Sequence, residues 1–241
     1  MERYKRNILL EGFGEEGQEK LRQGKVLVIG AGGLGSPVLF YLAAAGVGTI
    51  GIVDFDVVDI TNLQRQILHQ TTDLGKQKAI SAKEKLEALN PEITIKSYVE
   101  KLTVENAVSL INEYDFVIEC CDNYEAKFLV NDVCVAQGKP YSHGAILAMQ
   151  GEVMTYTPGH ACYRCVFGNA PKEGSVPSAA QAGVLGSIAG IAGSIQASEA
   201  IKYLTGIGEL LTNRLLIFDG KNMTFNSLKV NKRNACGCDN V

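Results

Sequence analysis

Two groups of residues have types and spacings that could do chemistry. The first opens at Gly30-Ala31-Gly32-Gly33-Leu34-Gly35, a GxGxxG pattern between a short apolar run and a helical stretch. Glycines there let the backbone turn tightly and approach a phosphate, and the free N–H groups at a helix start favour an anion. Asp54 closes the next apolar run, 19 positions after Gly35, where a carboxylate can accept hydrogen bonds from ribose hydroxyls. This much predicts a nucleotide without separating NAD from ATP. A tight strand-to-helix turn that binds nothing would read the same way.

The residues after Asp54 bear on that choice. Asp54-Phe55-Asp56 leads to Asn62-Leu63-Gln64-Arg65-Gln66, and then to Lys76 and Lys78. Cationic groups beside a glycine turn suit a triphosphate, because they offset charge that grows on a leaving pyrophosphate. By residue type alone, Arg65 fits a surface ion pair equally well, and the two lysines fit a solvated helix face. Asp122, followed by Asn123, offers oxygens suited to a hard cation such as Mg²⁺. Its alternative is an N-cap for the helix that follows.

The second group is made of cysteines. Cys162-Tyr163-Arg164-Cys165 is a pair spaced by two residues, and Cys236-Gly237-Cys238 is a pair spaced by one. Four thiolates can close a tetrahedral zinc site. The tighter second pair leaves open a distorted four-cysteine site, three thiolates with another ligand, or no metal. Cys120, Cys121 and Cys134 lie on apolar segments and read as inert core thiols. His69, His143 and His160 show no ligand spacing, and His143, near a strand end, reads as a polar strand terminus in preference to a residue facing the pocket.

The elements that must position these groups alternate. Residues 25–30, 49–54, 93–99 and 116–120 read as strands, and residues 36–45, 74–89, 103–112 and 124–137 as helices. After Pro140 the alternation loosens, with a strand at 151–156, a largely helical run at 181–204 and a terminal hairpin from 214–218 and 223–230. The expected fold is α/β: a Rossmann-like doubly wound sheet continuing into a mixed sheet, with a small cysteine-rich element.

Composition narrows the class. The formal net charge of −3 gives no footprint for nucleic acid or an anionic membrane. The charge-free run at 182–198 is short for a membrane span and reads as a buried or interface helix. The first residues carry no secretory signal, so the expected compartment is the cytoplasm, where seven cysteines favour thiols or metal ligands over disulfides.

The succession GAGGLGS, DFDxVxxxNLQRQ, GKxK and Cys121-Asp122-Asn123 resembles the ThiF/MoeB/HesA family, related to ubiquitin-activating enzymes, and within it the MoeB type. The likeness runs from Arg3 to the C-terminal cysteines. It implies one adenylating domain over residues 1–241: a helical arm at 1–24, a nucleotide-binding part at 25–145, and a mixed-sheet, carrier-binding part with the zinc site at 146–241. The implied activity is ATP-dependent adenylation of the C-terminal glycine of a small ubiquitin-like sulfur carrier of MoaD/ThiS type, ending in Gly-Gly.

By the same resemblance, Gly33 lies in the phosphate turn and Asp54 serves the ribose, with Gly30, Gly32, Gly35 and Asp56 also among the cofactor-binding residues. Asn62, Arg65 and Lys78 contact phosphates, Asp122 helps hold Mg²⁺ or orient the attacking carboxylate, Asn123 is cofactor-binding, and Arg6 reaches the partner's ATP in a homodimer. Cys162, Cys165, Cys236 and Cys238 are the implied Zn²⁺ ligands. A separate donor supplies sulfur, since no fused sulfurtransferase follows. Ala179 stands where many relatives have a cysteine, so no enzyme-bound carrier thioester is expected, and Ser178 has no activating base nearby in sequence. The rival readings are an NAD-dependent oxidoreductase, a non-catalytic nucleotide fold, and a member activating a carboxylate on RNA.

Overall fold

Strand β1 (Lys25–Ile29) sends its side chains alternately into two cores. Val26 and Val28 enter one, Leu27 and Ile29 the other. Strands β2 (Thr49–Val53) and β4 (Phe116–Glu119) do the same. Burial on both faces explains why these segments read as unbroken apolar runs: helices cover a parallel sheet from either side. The computed structural model describes residues 2–172, 179–233, 236 and 238.

One sheet of eight strands runs in the order β3-β2-β1-β4-β5-β6-β7-β8. β3 (Thr94–Tyr98), β2, β1, β4 and β5 (Tyr141–Leu147) are parallel neighbours. β6 (Gln150–Tyr156), β7 (Arg214–Asp219) and β8 (Thr224–Lys229) continue it antiparallel. This is the expected doubly wound sheet with a mixed extension. The chain order reverses between β1 and β4, the switch point at which open α/β sheets place ligands.

Short helices α1 (Lys5–Ile8) and α2 (Gly14–Gln23) precede β1. Helix α3 (Gly35–Ala45) leaves the glycine turn, with Pro37 in its first turn and Gly46 closing it at φ +87°. The sheet's other helices are α4 (Lys78–Leu89), α5 (Ala107–Asn112), α6 (Tyr124–Ala136), α7 (Tyr163–Phe167), α8 (Ala179–Ala182) and α9 (Gly186–Thr205). α9 packs on α3 and across β5 and β6. A Cβ on its Gly193 would lie 2.5 Å from the Leu34 carbonyl. Gly193 therefore serves close packing of this run against the glycine turn. Among the described residues no helix is long and apolar enough to cross a membrane.

Several boundaries differ from expectation, each for a local reason. Residues 74–77 are not helical: Gly75 and Lys76 exchange backbone bonds with Val58, and α4 starts only at Lys78. The helix expected from 103 starts at Ala107, because the Asn106 side chain takes the Thr103 N–H at 2.8 Å. The run at 181–204 is split where Gly183 adopts φ +75° and Val184 bridges to Ala148. Strand β5 went unread as a strand, though it supplies the hairpin partner of β6. Ser178 lies outside the described residues.

Candidate nucleotide and metal site

The glycine turn is shaped by exclusion. A Cβ on Gly35 would stand 2.0 Å from the Gly30 carbonyl oxygen, and Gly30 has φ +102° with no room beside the Cys120 carbonyl. A side chain at either position would push the backbone apart. Asp54 braces the turn from the end of β2: its Oδ2 accepts the Ala31 N–H at 2.7 Å, and its Oδ1 accepts the Asp56 N–H at 2.9 Å. Burial raises its pKa, held back by those N–H groups and by the Lys78 charge.

The loop carrying Asn62 to Gln66 folds over the turn. A Cβ on Gly33 would meet Arg65 Cγ at 3.5 Å. Arg65 Nη1 donates to the Thr61 carbonyl at 3.0 Å, and among the described residues it has no carboxylate partner, so the surface ion pair does not form. The Asn62 side chain serves a capping box with Asp59. Lys78 is buried at the first position of α4, with its Nζ 2.9 Å from Asp56 Oδ2. Lys76 pairs instead with Glu84 on the helix surface.

Asp122 and Asn123 follow the end of β4, across the switch point from the turn. The N-cap falls to Asn123, whose Oδ1 accepts the Ala126 N–H at 2.9 Å. Asp122 is left exposed and free of that task, a carboxylate open to a hard cation. Arg6 lies elsewhere. Its neighbour Asn7 bonds the Ala45 carbonyl, at the far end of α3 from the turn. Eleven helical residues put that end roughly 16 Å away. Within one chain the structure does not bring Arg6 to the other site residues.

The four paired cysteines do converge. Cys165 Sγ lies 3.9, 3.1 and 3.4 Å from the sulfurs of Cys162, Cys236 and Cys238, and all four lie within 4.8 Å of one another. Ligands about 2.3 Å from a tetrahedral ion would be about 3.8 Å apart, so the donor set fits a metal. The one-residue spacing does not prevent it. Of the remaining thiols, Cys120 and Cys134 are buried and Cys121 is partly so. Burial pushes all three well up from the usual range, as expected of inert packing residues.

The ThiF family profile matches residues 4–240. The chain belongs to the ThiF family. It is 44% identical to a sulfur carrier protein adenylyltransferase of Thermus thermophilus, over 98% of this chain and 89% of that protein. A SAMP-activating enzyme E1 of Haloferax volcanii is 43% identical over 95% of this chain and 84% of its own length. A probable adenylyltransferase/sulfurtransferase MoeZ of Mycobacterium tuberculosis is 45% identical, but the chain spans only 60% of it. Among solved structures, E. coli MccB with ATP superposes with a TM-score of 0.86 at 25% identity, over 97% of this chain and 72% of MccB.

Behind Asp122, this ThiF-family chain buries a charged cluster that sequence reasoning missed. Glu119 Oε1 accepts the Cys121 N–H at 2.6 Å, and Lys127 Nζ lies 3.0 Å from both Glu119 oxygens and 2.9 Å from the Gly144 carbonyl. His143 Nδ1 lies 2.6 Å from Glu119 Oε2, and the ring is 1% exposed. His143 is therefore a core residue, not a strand-end polar group, because Glu119 gives it a buried partner. The one available signal was a glutamate ending the apolar strand Phe116-Val117-Ile118-Glu119. Burial pushes the Glu119 pKa up, but the Lys127 charge and the His143 hydrogen bond bring it below the usual value.

That balance has a pH signature. A lowered carboxylate pKa contributes stability above the unfolded value, which is lost as pH falls through the folded one. Lys127→Met would leave Glu119 buried without its main counter-charge, at a cost of about 3–5 kcal/mol. Its pKa would then rise, so the deficit should be largest near about pH 8 and shrink near about pH 5.5 as the carboxylate takes a proton. Urea unfolding at both pH values measures this. An equal deficit at both would mean that Glu119 does not hold the charge.

Proposed function

We propose that this chain uses ATP to adenylate the C-terminal glycine carboxylate of a small ubiquitin-like sulfur carrier ending in Gly-Gly. The supporting observation is the convergence at the β1/β4 switch point: a braced glycine turn, Arg65 lying over Gly33, and the open carboxylate of Asp122. The names of the Thermus and Haloferax relatives and the ATP complex of MccB point the same way.

On this reading a carboxylate oxygen of the carrier attacks the α-phosphorus of ATP in line, and the bond to the β-phosphate oxygen breaks to release pyrophosphate. No general base is needed, because the attacking carboxylate is already ionised at neutral pH. The protein's part is placement and charge neutralisation. Gly32 and Gly33 approach the phosphates, Asp54 takes the ribose, and Asn62, Arg65 and Lys78 line the triphosphate, with Asp56 holding the lysine in place. Asp122, beside Asn123, holds Mg²⁺ or orients the carboxylate; the ion would offset phosphate charge. Arg6 serves the partner's site in a homodimer, since α3 keeps it from its own. Residues 146–241 form the carrier-binding part, and Zn²⁺ on the four cysteines ties its C-terminal segment to α7.

The reaction ends at the acyl-adenylate, which a separate sulfur donor consumes. Neither the buried Cys120 and Cys134 nor the partly buried Cys121 presents a free thiolate for a carrier thioester.

ATP–pyrophosphate exchange should therefore require a carrier with an intact Gly-Gly end, and Asp122→Ala should lower its rate by about 10²-fold or more. Equal exchange with a truncated carrier would sink the carrier assignment. In a second experiment, Arg6→Ala and Lys78→Ala should each be nearly inactive, while verified heterodimers of the two regain activity at the one site free of both changes. No recovery would place Arg6 outside the partner's site. Elemental analysis should find about one zinc per chain, lost in Cys165→Ser together with thermal stability. Metal-free protein of unchanged stability would defeat the structural-zinc assignment.

A further inference from the structure

His69 is 5% exposed and stands between the glycine turn and α4. Its Nε2 lies 2.8 Å from the Ala31 carbonyl oxygen, and its Nδ1 lies 2.9 Å from Ser81 Oγ. A carbonyl can only accept, so Nε2 carries the proton and donates to Ala31. In the neutral ring Nδ1 then accepts from the Ser81 hydroxyl. Burial, the largest influence on this ring, favours that neutral form. Ser81 is held in turn: Lys85 Nζ donates to its Oγ at 3.1 Å, and Lys85 pairs with Asp73. Asp73 also accepts the Gln70 N–H at 2.8 Å, fixing the backbone at the residue that follows His69.

Ala31 is thus gripped on both sides. Its N–H goes to Asp54 and its carbonyl goes to His69, so two consecutive peptide planes of the turn are fixed. In a trans peptide the C=O and the next N–H point in opposite directions. Holding the Ala31 carbonyl against His69 therefore aims the Gly32 N–H away from the buried ring. That N–H has no acceptor among the described residues. Ser81 lies in the first turn of α4, whose first residue is Lys78. The same ring therefore joins the glycine turn to the helix that carries the buried lysine.

We propose that His69 is a positioning residue for the triphosphate: it orients the Gly32 N–H as a phosphate donor and sets the turn against the Lys78 helix. This rests on the nucleotide reading of the turn. His69 touches no substrate itself, so its effect should fall on phosphate recognition rather than on adenosine.

The test compares full-length wild type, His69→Phe, His69→Gln and Ser81→Ala by competition of ATP and of adenosine against a fluorescent ATP analogue. Phenylalanine keeps the ring and loses both hydrogen bonds, and should weaken ATP about tenfold with adenosine changed less than about twofold. Glutamine can return an N–H to the Ala31 carbonyl and should recover ATP affinity to within about threefold. Unchanged ATP affinity in folded His69→Phe, or equal losses for ATP and adenosine, would overturn the proposal. So would a glutamine variant no better than phenylalanine. If His69→Phe does not fold, Ser81→Ala decides: a selective loss of ATP affinity supports the strut, and no loss overturns it. Wild type that binds no ATP would instead overturn the nucleotide reading on which the proposal rests.

Discussion

The contact on which the site depends is the approach of the Gly30 carbonyl to Gly35, where a Cβ would stand 2.0 Å away. Because no side chain intervenes, the chain leaves β1 and enters α3 within a few residues. The first N–H groups of α3 then lie at the sheet's switch point rather than beyond it. A wider turn would put the helix start out of reach of both Asp54 and the Arg65 loop. The turn alone is soft, since glycine carries the largest backbone freedom to be lost. The bonds from Asp54 and His69 to Ala31 remove that freedom, so the unusual backbone is set before any ligand arrives.

Across the switch point the problem is solved by charge. Asp122 must stay exposed while the strand it follows is buried on both faces, so the backbone between them has to leave the sheet abruptly. Glu119 turns it by accepting the Cys121 N–H at 2.6 Å. A lone carboxylate could not be kept ionised at that depth. Lys127 and His143, from the next helix and the next strand, supply the compensation. The two sides of the switch point are therefore held differently: hydrogen bonds from Asp54 and His69 to one residue fix the glycine turn, and a buried ion cluster fixes the loop opposite it.

How much of this was legible in the sequence follows from the range of the interactions. The turn, Asp54 and strands β1 to β4 were readable because their signals are local: glycines at fixed offsets and apolar runs flanked by helical patterns. The convergence of Cys162, Cys165, Cys236 and Cys238 was legible in residue type only, and a one-residue spacing could not be judged without the fold. Strand β5 was missed because its continuation past Gly144 is defined by pairing with β6, a tertiary fact. Glu119, Lys127 and His143 lie on three different elements, and no spacing along the chain announces their meeting. His69 was equally silent, since its two partners, Ala31 and Ser81, are separated from it by 38 and 12 positions.

Helix α3 links this architecture to assembly. Its N-terminus forms the glycine turn, while its C-terminal Ala45 carbonyl anchors the arm through Asn7 and Gln18. The arm cannot slide toward the turn without breaking these bonds and withdrawing Tyr4, which is buried and hydrogen-bonded to Asn90. Arg6 is thus exposed, without an ion-pair partner among the described residues, and its neighbour Asn7 is tied to the end of α3 that lies roughly 16 Å from the glycine turn. A cation held there has no use within the chain that the geometry reveals. On the proposed reading its use lies in a second copy: the anchorage of the arm at the far end of α3 holds Arg6 away from the turn of its own chain, so the adenylating site would be complete only in the pair.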